Sequence, residues 1–178
     1  AQRPLNIIMV EIIPAILTSD VQELRRKITE LEGVVPRIQI DIIDGVFADN
    51  KTILPDVLED IDTSLLIDFH LMTKEPSDWI ERCVRGMADR IFGHIERMTS
   101  QEEFVSKVGE VGVKVGLAID VDTPVAKINS ILIQNLDVVL VMSVRAGSGG
   151  QEFDDSAIEK IRELNGIRSR DNTPFKIC

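Results

Sequence analysis

The sequence predicts an α/β fold built on a parallel sheet. Short runs rich in Val, Ile and Leu recur along the chain, and between them lie charged segments whose apolar residues fall at helical spacing. The two textures alternate regularly, which implies parallel strands joined by right-handed crossovers. The runs are also near-continuously apolar, as parallel strands buried on both faces must be.

Taken in order, the first strand is expected over 10–17. Val21, Leu24, Ile28 and Leu31 then share one helical face, with Arg25, Arg26 and Glu30 elsewhere; Asp20 is placed to cap this helix and Gly33 to stop it. Strand two is expected over 37–44. The gap after it is the weakest for a helix: 47–54 reads as a loop, and Pro55 opens a short helical piece. Strand three covers 64–72. Trp79, Ile80, Cys83 and Met87 mark the next helix, with Ser77 as its cap and Gly86 as its stop. Strand four, at 90–96, leads to a helix through Phe104, Val108 and Val111, bounded by Ser100 and Gly112. Strand five is expected over 114–120, followed by a helix through Val125, Ile128 and Leu132. Strand six, at 137–144, is followed by a helix through Ile158, Ile161 and Leu164. A seventh strand begins at Phe175 and is cut off at Cys178.

Two architectures fit this pattern, an open doubly wound sheet and a (β/α)8 barrel. The dinucleotide-binding version of the first needs a Gly-rich turn after strand one, where this chain has Leu17-Thr18-Ser19-Asp20. No Gly-Lys-Ser/Thr phosphate loop occurs either.

Composition narrows the class. At 178 residues the chain fits one domain, and 44% hydrophobic with 28% charged residues is that of an ordinary globular protein, not a disordered one. A net charge of −10 repels phosphate backbones and argues against general nucleic-acid binding. It leaves room for one local phosphate pocket made of backbone N–H groups. Cys83 and Cys178 lie far apart, so no disulfide framework is indicated and a reducing compartment is expected. No apolar run reaches the roughly 18 residues of a membrane span, and residues 1–6 lack a leader's apolar segment. A cytoplasmic protein without membrane or nucleic-acid partners is the expectation.

In a barrel the chemistry sits where strands end. Strand two reads Ile38-Gln39-Ile40-Asp41-Ile42-Ile43-Asp44-Gly45, with Gln39 and Asp41 on one face. A carboxylate inside such an apolar run costs several kcal/mol unless it meets a cation, a metal or an active site, so Asp41 is a site candidate. Asp44 before Gly45 reads as turn chemistry. The 2 histidines, His70 and His94, both lie in apolar strands. A lone strand histidine is often a satisfied core residue; His94 reads that way, and His70 reads as a site residue. After strand six comes Val144-Arg145-Ala146-Gly147-Ser148-Gly149-Gly150-Gln151, which suits either close approach to an anion or a flexible turn.

Together these stretches resemble the ribulose-phosphate 3-epimerase family. The matching residues are Pro14-Ala15-Ile16-Leu17, Asp41-Ile42-Ile43-Asp44-Gly45 with Phe47 and Asn50, Asp68-Phe69-His70-Leu71-Met72, and Gly147-Ser148-Gly149-Gly150-Gln151 with Phe153, in the family's order and spacing. The resemblance runs from about Val10 to Cys178. It implies a TIM (β/α)8-type barrel, incomplete here at the C-terminus with six strands and the start of a seventh. It also implies a sugar-phosphate substrate: D-ribulose 5-phosphate is interconverted with D-xylulose 5-phosphate by proton transfer at carbon 3 through an enediolate. Family members use two acid/base carboxylates and a divalent metal of zinc or iron type. Carried over by position, Asp41 is an acid/base and metal ligand, and His70 is a metal ligand and substrate contact. Gly147, Ser148, Gly149 and Gly150 are the phosphate loop, Met72 and Met142 form an apolar wall, and His94 is not a ligand. Family analogy also suggests a homo-oligomer.

The departures bear on activity. Ala15 stands where the family has a substrate-contacting Ser. Gln39 replaces a metal-binding His, and an amide oxygen is a much poorer ligand. Arg145, Ala146 and Ser148 alter the phosphate loop. Arg145 either adds a cation near a phosphate or faces solvent. At Cys178 the family would continue into strand seven's Asp-Gly-Gly, so the chain reads as a fragment of a longer one, the alternative being that another chain supplies the remaining strands. The expectation is an epimerase, with weak or absent metal in this chain. The alternative is an impaired family member that binds a sugar phosphate or a partner protein. An aldolase or decarboxylase relative would want a strand-end Lys, which is missing.

Overall fold

The computed structural model describes residues 10–178. Seven strands form one parallel sheet in chain order: β1 Ala15–Ile16, β2 Arg37–Ile43, β3 Leu66–Met72, β4 Ala88–His94, β5 Lys114–Ile119, β6 Val138–Val141 and β7 Lys176–Ile177. Each strand pairs with the next, without the reversal of order that defines a doubly wound sheet. The result is a curled, incomplete TIM-type barrel. Among the described residues β1 and β7 form no ladder with one another. Four α-helices lie between strands: α1 Val21–Leu31, α2 Ile80–Arg85, α3 Gln101–Glu110 and α4 Ser156–Asp171.

Strand alternation sorts the side chains onto two faces. Ile38, Ile40, Ile42, Phe69, Leu71, Ile91, Leu117 and Val139 pack with Leu24, Ile28, Phe104, Val108 and Leu164 of the helices as the main core. The alternate residues line the inside of the curl. There Phe92, Ala118, Val138 and Leu140 make a smaller cluster against which Met142 packs. Gly116 makes room for it, since a Cβ there would lie 2.5 Å from the Phe92 ring.

The same inner face carries a layer of charge where the strands begin. Asp68 is 0% exposed and accepts hydrogen bonds from Arg37 on β2 and from Arg90 on β4. A carboxylate buried so deeply is tolerable because both guanidinium partners are buried with it. The layer ties three adjacent strands together.

The caps follow the sequence in two of three cases. Asp20 accepts from the N–H of Gln22 at 2.7 Å, and Ser100 Oγ from that of Glu103 at 3.1 Å. Ser77 is not a cap: it lies inside a 3-10 turn, Pro76–Trp79, that leads directly into α2. Gly86 does end α2, but for lack of space rather than for a left-handed conformation. A Cβ there would meet the Pro55 carbonyl oxygen at 2.4 Å, and Met87 takes the positive φ of 59°.

The expected helix through Val125, Ile128 and Leu132 is absent. Two 3-10 turns, Val125–Lys127 and Leu132–Asn135, stand in its place. Gln101 of α3 explains the break. Its Nε2 donates to the Lys127 carbonyl at 2.9 Å and its Oε1 accepts from the Asn129 N–H at 2.8 Å, taking the backbone groups a continuous helix would use. The first strand is shorter than the expected 10–17, and β4 begins at Ala88, two residues earlier than expected. The reading of residues 1–6 lies outside the described residues. Among the described residues no helix is long and apolar enough to cross a membrane, and Cys83 and Cys178 are both free.

Candidate active site

Asp41 and His70 are the fifth residues of β2 and β3, and parallel pairing sets them side by side. His70 Nδ1 lies 3.0 Å from Asp41 Oδ1. Gln39 Nε2 donates to the same oxygen at 2.8 Å and lies 3.4 Å from His70 Nδ1. The expected grouping of Asp41, His70 and Gln39 is therefore assembled.

His94, read from sequence as a core residue, is 0% exposed yet belongs to this group. Its Nε2 is 2.8 Å from His70 Nε2, and its Nδ1 is 2.8 Å from Glu96 Oε2. The Phe47 ring covers it, with centroids 4.9 Å apart. Burial pushes the His94 imidazole toward neutrality, against the opposing hydrogen bond to Glu96. Burial alone would raise the Glu96 carboxyl, but hydrogen bonds from His94 and from the Asp120 N–H bring it down to about 2. Ionised Glu96 then accepts from His94 Nδ1–H, and His94 Nε2 accepts from His70 Nε2–H.

That assignment leaves His70 Nδ1 without a hydrogen, facing Asp41 Oδ1 at 3.0 Å and the Gln39 amide at 3.4 Å. Two lone pairs at that distance attract a cation. The donor set decides whether a metal fits. It offers one imidazole nitrogen and one carboxylate oxygen, while Gln39 turns an N–H toward them, which cannot coordinate. Among the described residues no group of three His, Cys, Asp or Glu side chains is placed to hold a metal. These residues do not fit the closed four-ligand shell of a zinc-type ion.

The loop after β6 stands at the same end of the sheet. Asp44 organises the segment after β2: its Oδ1 accepts from the N–H groups of Val46 and Phe47, both at 2.8 Å, and its Oδ2 from that of Lys74 at 2.8 Å. This is the turn role expected of it. From that segment Asn50 Nδ2 donates to the Gly147 carbonyl at 3.1 Å. Gly147 has φ 119°, and a Cβ on it would lie 2.4 Å from that of Ala48. Gln151 Nε2 closes the far side by donating to the carbonyls of Arg145 and Ser148, both at 2.7 Å. The N–H groups of Gly147, Ser148, Gly149 and Gly150 have no hydrogen-bond partner among the described residues. Arg145 faces solvent, 67% exposed at its side chain, and pairs with Asp122 at 2.6 Å. Met72 is buried at the end of β3, and Ala15 is exposed on β1.

Sequence reasoning missed Glu96 and Asp120. The spacing of His94 and Glu96, two apart at a strand end, was the available signal for the first.

A curled parallel sheet with titratable side chains and a glycine-rich βα loop at the C-terminal ends of its strands defines a TIM-barrel-type α/β protein. The fold alone is shared with solved structures at low identity. Phosphoribosyl anthranilate isomerase from Thermus thermophilus aligns with a TM-score of 0.51 at 12% identity, over 94% of this chain and 86% of that one. The GH18 chitinase ChiB of Flavobacterium johnsoniae gives 0.53 at 10% identity, over 87% and 64%. Residues 11–178 match the ribulose-phosphate 3 epimerase family model, and the chain belongs to that family. It is 36% identical to the ribulose-phosphate 3-epimerase of Bacillus subtilis over 159 residues, covering 88% of this chain and 73% of that protein. The Chlamydia pneumoniae enzyme of the same name is 38% identical over 151 residues, covering 83% and 66%. The chloroplastic ribulose-5-phosphate-3-epimerase of Arabidopsis thaliana is 33% identical, over 85% of this chain and 55% of its own length.

Proposed function

We propose that this chain binds a ketopentose phosphate across the strand ends and moves the proton at carbon 3, the chemistry that interconverts D-ribulose 5-phosphate and D-xylulose 5-phosphate. The observation that carries the reading is Asp41 Oδ1 standing 3.0 Å from His70 Nδ1, at the same sheet end as a loop whose four N–H groups have no hydrogen-bond partner among the described residues. Those N–H groups suit the phosphate. The Asp41 carboxylate takes the proton from carbon 3; the C–H electrons form the carbon 2–carbon 3 double bond, and the former carbonyl oxygen takes the negative charge. Inversion needs an acid on the opposite face, and Asp41 supplies one face only. Acting by itself it returns a solvent proton where it removed one.

The family's divalent metal, of zinc or iron type, would sit at Asp41 and His70 and polarise the carbonyl when bound. The donor set supports weak binding or none, and no step above runs through it. A second reading, a family member that binds the sugar phosphate without turnover, is favoured by Gln39, whose N–H occupies Asp41 Oδ1.

Proton NMR of ribulose 5-phosphate in deuterium oxide tests the proposal. The chain should wash deuterium into carbon 3 with negligible xylulose 5-phosphate formed. Asp41→Asn should abolish exchange. Gly149→Glu should raise the substrate concentration required, because a side chain at Gly149 meets open space and only the charge perturbs the loop. Exchange no faster than in buffer would support the binding-only reading.

A further inference from the structure

We propose that Asp120 is a positioning residue that holds the 145–151 loop in register with the Asp41–His70–His94–Glu96 chain; its value to function rests on reading that loop as a phosphate seat. Asp120 directly follows β5 and is tied in three directions. Its Oδ1 accepts from the Ala146 N–H at 3.0 Å, at the entry to the loop, and from the Val121 N–H at 2.8 Å. Its own N–H donates to Glu96 Oε1 at 2.7 Å, while the other oxygen of Glu96 is bonded to His94. Its carbonyl accepts from Lys160 Nζ at 2.7 Å. Lys160 lies on α4, the helix into which the loop runs, and is only 8% exposed.

One residue thus holds the entry of the loop by its side chain, the helix that follows the loop through Lys160, and the acid/base side through Glu96. A local turn would explain only the bond to Val121. The bond to Ala146 spans 26 residues and those to Lys160 and Glu96 span 40 and 24, so the contacts are tertiary. Asp120 spends its carboxylate on two N–H groups, which orients the start of the loop while the N–H groups from 147 to 150 stay free for an anion. A loop set in this way is preorganised and loses little entropy when it binds.

The test uses Asp120→Ala, Asp120→Asn and Lys160→Met in the chain as it stands. The readouts are amide hydrogen exchange over 145–151 and the first turns of α4, inorganic phosphate affinity by calorimetry, and thermal midpoint. Asp120→Ala should speed exchange across the loop and weaken phosphate by about tenfold, the loss expected for one hydrogen bond to a charged acceptor. Asp120→Asn keeps an acceptor oxygen and should restore both to within about threefold. A purely structural residue would lower the thermal midpoint and leave loop exchange and phosphate affinity unchanged, which overturns the proposal. Lys160→Met leaves Asp120 in place and should speed exchange in the first turns of α4. It carries the test if Asp120→Ala does not fold, and unchanged exchange there refutes the clamp. Faster loop exchange in Asp120→Ala, with no phosphate bound even by the unmodified chain, would uphold the clamp and refute the phosphate reading.

Discussion

Replacing Glu96 by Gln removes the charge that ends the His70–His94 chain. The carboxyl is held at about 2 against an ordinary 4.5. At about 1.4 kcal/mol for each tenfold in equilibrium, the displacement corresponds to an upper bound of roughly 3 kcal/mol of folding stability at neutral pH. The side chain is 22% exposed, so solvent screening reduces this to about 1–2 kcal/mol. The sign follows from which state binds the proton first. As pH falls, the unfolded chain protonates Glu96 near 4.5 while the folded chain keeps it ionised until about 2. Acid therefore draws the equilibrium toward unfolding, and the contribution, fully present above about pH 5, fades between about 4.5 and 2. Urea unfolding of the parent chain and Glu96→Gln at pH 7, 5, 4 and 3 measures it. The stability gap should hold from pH 7 to 5 and then narrow. A gap that stays constant to pH 3, or widens, would refute the view that His94 and the Asp120 N–H hold Glu96 ionised.

Asp68→Asn should destabilise the fold by about 3–5 kcal/mol in urea titration, because it leaves the buried Arg90 without a charged partner among the described residues and Arg37 with only Asp89 and Glu11; a loss under about 1 kcal/mol would count against the ionic layer. Gly116→Val should cost about 1–3 kcal/mol through collision with Phe92 and Val138, whereas Gly149→Ala should be close to neutral in the same assay. Metal analysis after dialysis should find substoichiometric zinc or iron, and Gln39→His should raise metal affinity by at least about tenfold. One equivalent retained by the unmodified chain would instead make Gln39 a working ligand.

The strands and their parallel pairing were legible because strands buried on both faces need unbroken apolar runs, and 37–44 and 114–120 carry them. The amphipathic face of α1 and the caps at Asp20 and Ser100 were legible for a similar reason: the partners lie within one helical turn. Asp41 could be picked out because a carboxylate in an apolar run demands a partner wherever the chain goes. The identity of that partner was harder, and only the family resemblance joined Asp41 to His70 before the fold was known. His94 looked like core, the helix through Val125 and Ile128 looked continuous, and Asp120 carried no local mark of its role. Each of these turns on a contact between residues distant in sequence: His94 with His70 across 24 residues, Gln101 with Lys127 across 26, Asp120 with Ala146 across 26. Local sequence sets which face a side chain takes, because alternation and helical period are properties of neighbouring residues. Which side chains meet on the inside of the sheet depends on the register of five strands and the curl that gathers their ends, and those are set by the packing of the whole chain.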